Sequence, residues 1–149
     1  MSPQRSTRLQ PIQQLASNRE DEAMRELAAS QKQVSGQQLR LEELQRYIND
    51  YANAVPQAAT PALMLNRHAF LARLQEAERY QRQLVEQSRL RCEAERARWL
   101  LKRRDVGTLD QLAASYRAQE YVQAERLSQK ELDELASRRM LGRQQESAF

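Results

Sequence analysis

Residues 45–61 read QRYINDYANAVPQAATP, and the fold turns on how this stretch is read. Two tyrosines, Tyr47 and Tyr51, sit four apart on a strongly helical sequence that then meets two prolines. Pro56 biases Val55 away from helical dihedrals, while Thr60 can cap a new helix with Pro61 at its first position. A short break between two helical sequences makes them antiparallel neighbours. The stretch therefore predicts a helical hairpin with aromatic side chains beside its bend.

The flanking sequence supplies the arms. Leu27, Val34, Leu41, Ile48 and Val55 repeat every seven residues, with Leu9, Ala16, Ala23, Ser30, Gln37, Leu44 and Tyr51 as the companion row. This is a coiled-coil seam, weakest at Glu20, Ser30 and Gln37. After the bend, Leu63, Phe70, Ala77 and Leu84 share one row, and Val85, Cys92, Trp99, Val106, Ala113 and Leu127 continue on the next. The expected fold is all-α: a long antiparallel two-helix coiled-coil hairpin forming a single domain. Arm 1 covers about residues 4–54, the loop 55–61 and arm 2 62–143, the second arm being the longer. Gly107, followed by a capping-box spacing at Thr108 and Gln111, marks an expected kink or break. Folding the chain at residue 58 sets Leu9 opposite residue 107, so a helix from about 108 onward is expected to project without a partner.

Composition agrees with long, exposed helices. The 149 residues include three glycines, 30% charged side chains and only 5% aromatics, and the mean hydropathy is −0.88. Ala, Leu, Glu, Gln and Arg are good helix formers, and each helix needs to bury only one stripe. Two helices with one seam bury little apolar area, so marginal stability is expected. No apolar run is long enough to span a bilayer. The single Cys92 excludes an internal disulfide and suits a reducing compartment, so a cytoplasmic location is expected. The net charge of +4 arises from residues 89–105, which hold seven basic and three acidic groups.

The sequence lacks the apparatus of an enzyme. No phosphate-cradling glycine motif is present, and one histidine with one cysteine makes no zinc site. His68 and Cys92 lie about 36 Å apart along a helix, too far to act as a nucleophilic pair. No catalytic residue, cofactor or metal is expected. The basic segment 89–105 reads as a solvated helical face, its functional alternative being a patch for an acidic protein, nucleic acid or anionic lipid. Nucleic acid is not expected, because no stacking platform accompanies the charges. At the bend, Leu44, Tyr47 and Tyr51 share one helical face and Phe70, Leu74 and Ala77 another, and the pairing brings the two together.

The order of LQRYINDYANAV, RHAFLARLQEAERYQRQL, RARWLLKRR and AERLSQKELDELASRRM resembles the FliJ family of flagellar type III export stalk proteins, over nearly the whole chain. The resemblance implies an accessory protein of the flagellar base, peripheral at the cytoplasmic face of the inner membrane through its partners. Those partners would be a FliI-type export ATPase, an FlhA-type export gate and export chaperones. It implies a gate-binding face at Leu44, Tyr47, Tyr51, Phe70, Leu74 and Ala77. Arg40 and Gln81 depart from the family's pattern at the edges of that face. It also implies that the helix carrying Leu127, Leu132 and Leu135 enters the ATPase ring. The stalk of a virulence type III secretion system, or a passive coiled-coil scaffold, are the alternatives.

Overall fold

The computed structural model describes residues 4–54 and 60–147. It contains two helices, α1 (Arg5–Asn53) of 49 residues and the longer α2 (Pro61–Ser147) of 87. The chain is an all-α helical hairpin, and among the described residues there is no strand. Two compact units are distinguished: Asn18–Arg103 forms one, and Met1–Ser17 with Arg104–Phe149 forms the other. Each contains a segment of α1 and a segment of α2. Residues 55–59 of the expected loop, Val55 and Pro56 among them, lie outside the described residues, and Pro61 already belongs to α2.

The start of α2 follows from its first two residues. Thr60 Oγ1 accepts the Leu63 N–H at 3.2 Å, and the Thr60 carbonyl accepts the Met64 N–H at 3.0 Å. Pro61 sits where a missing N–H is harmless. The end of α1 is satisfied differently. No basic residue lies in its own last turn. Arg67 of α2 supplies the charge, donating from Nη2 to the carbonyl oxygens of Tyr51 at 2.8 Å and Ala52 at 3.2 Å. Its guanidinium also lies 5.3 Å from the centre of the Tyr51 ring. A cation is favourable against the free carbonyls at a helix C-terminus.

In the Asn18–Arg103 unit the α1 seam holds as expected. Ala23, Leu27, Ser30 and Leu41 are buried, and Val34, Gln37, Leu44, Ile48 and Tyr51 are half-buried. The α2 side differs near the bend. Leu63, Phe70 and Ala77 are exposed, and the row facing α1 is instead Leu71, Glu78, Val85, Cys92 and Trp99. Its companion row is Arg67, Leu74, Gln81, Ser88, Glu95 and Lys102, all half-buried. Hydrogen bonds explain how polar residues sit there. Gln81 Nε2 donates to the Gln37 carbonyl at 3.0 Å and to Gln37 Oε1 at 2.7 Å, and Gln45 Nε2 donates to Glu78 Oε1 at 3.3 Å.

In the unit formed by Met1–Ser17 and Arg104–Phe149, the expected pairing needs correction. Gln13 Nε2 donates to Asp110 Oδ1 at 3.0 Å, and Ser6 reaches Glu120. These bonds bracket the two buried residues, Leu9 and Ala113. Leu9 therefore faces Ala113, nearly two turns beyond Gly107. The cause lies at the start of α2: residues 60–66 are all exposed, and Arg67 is the first of the helix to meet α1. The unpartnered part of α2 accordingly begins after Glu120, and residues 121–147 are exposed throughout.

Gly107 neither breaks nor ends α2, which is helical across it. Thr108 is not a cap, since its Oγ1 donates to the Arg104 carbonyl one turn back at 3.0 Å. The glycine costs about 1 kcal/mol relative to alanine, while Val106, Leu109 and Ala113 on the packed face hold the helix together. Pro11 is likewise accommodated inside α1.

Replacing Arg67 with Ala should lower stability by about 1–2 kcal/mol, because a charged donor to two helix-end carbonyls is lost. Arg67→Lys should recover only part of it, lacking the planar fork. Urea unfolding followed by circular dichroism measures both. An unchanged midpoint for Arg67→Ala would mean that water satisfies the two carbonyls equally well.

Candidate partner-binding surfaces

Two surfaces present apolar side chains that the hairpin leaves uncovered. The first lies in the Asn18–Arg103 unit near the bend. The rings of Tyr51 and Phe70 meet edge to face, with centroids 4.9 Å apart and planes at 67°. An aromatic pair in this arrangement contributes about 0.5–1.5 kcal/mol beyond its buried area. Tyr51 is half-buried beneath it, whereas Phe70 is 38% and Tyr47 52% exposed. Of the six residues expected here, Leu44, Tyr51 and Leu74 are half-buried towards the seam and Tyr47, Phe70 and Ala77 face outward. The helices bring both triples into one region, with Tyr51 and Phe70 in contact. Arg40 is exposed, and Gln81 is occupied by its bonds to Gln37.

Leu63, Met64 and Leu65 are exposed on the overhanging first turns of α2, an apolar cluster that the heptad reading misses. Its signal is present in the sequence. Three consecutive apolar residues right after a helix cap cannot all face one seam.

The second surface lies in the other unit, on α2 beyond Glu120. Leu127, Leu132 and Leu135 are 62%, 59% and 54% exposed, and Met140 and Leu141 are exposed as well. Leu127 also lines an open groove of about 580 Å³ with Arg5, Arg8, Tyr116, Glu120 and Ala124. That groove surrounds the start of α1. There the Ser6 N–H donates to Glu120 Oε1 at 3.1 Å and the Ser6 hydroxyl to Oε2 at 2.6 Å. The Arg5 guanidinium stands 5.8 Å from the Tyr116 ring centre. A carboxylate at the first turn of α1 satisfies a free N–H and complements the positive end of the helix dipole. The hydrogen bonds from Ser6, side chain first and backbone second, hold the Glu120 carboxyl below its ordinary pKa.

Of the seven basic residues in 89–105, Arg89 and Arg98 reach α1, and Arg103 stacks within α2. Arg98 pairs with Glu26 at 2.7 Å, Arg89 donates to Gln38 at 3.3 Å and Arg103 lies 5.4 Å from the Trp99 ring centre. Both partners of the ion pair are well exposed, so its contribution is at most about 1 kcal/mol. Glu20, Asp21, Glu22 and Glu26 form the acidic stretch of α1 in the Asn18–Arg103 unit. Cys92 and Trp99 are half-buried in the seam, and His68 is exposed. Among the described residues, no group of three potential ligands could hold a metal ion, and no helix is long and apolar enough to cross a membrane.

The Ser6–Glu120 contact makes a signed prediction. A carboxyl with a lowered folded pKa contributes stability above its unfolded pKa and loses it as pH falls through the lowered value. Ser6→Ala should return the Glu120 carboxyl towards the ordinary range and speed amide exchange in the first turn of α1. NMR titration of the side-chain carboxyl reads the first effect and hydrogen exchange the second. No change in either would show that the contact is not kept in solution.

No curated protein and no solved structure matches the chain. The family described as "Flagellar FliJ protein" matches residues 4–145. With a match over nearly its full length, and an all-α hairpin as the bend and heptad rows predict, the chain belongs to the FliJ family.

Proposed function

We propose that this FliJ-family chain acts as the accessory stalk of the flagellar type III export apparatus, coupling a FliI-type ATPase ring to an FlhA-type gate and handling export chaperones. The observation that carries the reading is the stretch 121–147 of α2, exposed at every position and carrying Leu127, Leu132 and Leu135. An apolar-bearing helix left open by its own chain fits a partner that surrounds it. The same role assigns the gate to the face made by Leu44, Tyr47, Tyr51, Phe70, Leu74 and Ala77, where a half-exposed tyrosine offers a large, stiff contact with a polar tip. Location at the cytoplasmic face of the inner membrane would come through these partners.

The role needs no catalytic group from this chain. A single helix inside a symmetric ring cannot touch every subunit alike. Its contacts therefore favour some subunit conformations over others, and a ligand shifts an equilibrium by its differential affinity for the two states. The ATP chemistry belongs to the ring. Partner binding at the other surface links that cycle to the gate.

ATP turnover by the cognate FliI-type ATPase, followed across enzyme concentration, tests the ring contact. The full chain should stimulate turnover, and a chain ending at Glu120 should not, since it keeps the Ser6 contact but lacks the exposed helix. Absence of both stimulation and binding by the full chain would leave a passive coiled-coil scaffold as the better account. Tyr47→Ala should leave the unfolding midpoint unchanged and weaken binding to the soluble domain of the gate by about tenfold or more. Unaltered affinity would remove Tyr47 from that face.

A further inference from the structure

The packed row of α2 does not end where α1 does. Beyond Ala113 and Glu120 the same heptad spacing carries it through Leu127, Glu134 and Leu141, with Glu131 and Arg138 beside it, each four residues on from a member of the row. Two leucines thus bracket three charged residues on a face that nothing in the unit covers. Within residues 131–143 the charges are sorted along the helix. Glu131, Asp133 and Glu134 come first, and Arg138, Arg139 and Arg143 follow. Glu134 and Arg138 are four apart, a spacing that allows an ion pair within one helix. Among the described residues the ion pairs are Arg82–Glu78 and Arg98–Glu26, so these two side chains are uncommitted. They line a shallow concavity with Lys130, Asp133, Ser137 and Leu141.

We infer that this face docks on the same face of a second copy, antiparallel about residue 136. In that alignment Glu134 meets Arg138 of the other copy, Asp133 meets Arg139 and Arg126 meets Glu146. The two-fold axis repeats each pair, as an isologous interface requires. No two like charges stand opposite one another. A parallel, in-register pairing does the reverse, setting Glu131, Glu134 and Arg138 each against its own copy, which is destabilising in a coiled-coil seam. Ala136 and Ser137 at the axis, with Gly142 beyond, are small enough for the helices to approach closely. The charged pairs set direction and register more than affinity. With only Leu127 and Leu141 as apolar members of the face, and these opposite Gln145 and Glu131 of the other copy, the dimer is weak and concentration-dependent. Because pairing would cover Leu127 and Leu141, it competes with any other occupant of this helix.

The test uses the full chain alone, with no ATPase present, so it is independent of the turnover experiment. Sedimentation velocity from low to several hundred micromolar should show a weight-average mass rising from monomer towards dimer. Glu134→Arg and Arg138→Glu should each abolish the rise. The double exchange should restore it, because opposite charges then face each other across the axis again, with their positions swapped. A chain ending at Glu120 should remain monomeric. Far-UV circular dichroism at the lowest concentration checks that every variant keeps its helices. A monomer at all concentrations overturns the inference, as does association that survives both single reversals or is not recovered by the exchange.

Discussion

A pair of helices has one seam, and everything else in this structure follows from that restriction. Neither helix can be enclosed, so a backbone end is satisfied either locally, as Thr60 does for α2, or by what the partner helix can reach. For α1 both ends are served by α2. Glu120 accepts from the first turn in one unit, and Arg67 donates to the last carbonyls in the other. The two residues have the charges that the helix dipole favours at each end. The helix itself has no acidic residue in its first turn and no basic one in its last, so these ends are stabilised by pairing and not by local sequence.

The seam is unusual in how much polar material it holds. Gln37 with Gln81 and Gln45 with Glu78 replace apolar packing by hydrogen bonds across the pair. Each such bond contributes about 1 kcal/mol net, and losing one partner leaves a costly unsatisfied group. Not every group is matched, since Glu95 Oε2 and Trp99 Nε1 are buried without a partner among the described residues. Buried polar pairs of this kind fix which residue faces which, at some cost in stability compared with an all-apolar seam.

This mixture explains which features the sequence made legible. The α1 seam was readable because Leu27, Val34, Leu41 and Ile48 recur at one spacing and nothing competes with them. Its α2 counterpart near the bend was not. Leu63, Phe70 and Ala77 mimic a heptad row, whereas the residues that pack include Arg67 and Gln81, whose burial depends on partners invisible to periodicity. The pairing offset was hidden for a related reason, because nothing in the composition marks residues 60–66 as exposed ahead of Arg67, the first of α2 to meet α1. Gly107 misled because a glycine's local cost is smaller than the packing gained on either side of it. The meeting of Tyr51 with Phe70 was legible, since two aromatic faces near one turn have few other places to go. Which partner each surface takes is a matter of chemistry outside the chain.

The continuity of α2 past its last contact with α1 has a kinetic consequence. Around Val85 an amide can exchange with solvent only when the seam opens, whereas beyond Glu120 helix–coil fluctuation of the segment itself suffices. One uninterrupted helix therefore has two lifetimes, long along the paired stretch and short along the free one. Whatever grips residues 121–147 would equalise them, so deuterium uptake along this single element is a direct gauge of whether the free stretch is occupied.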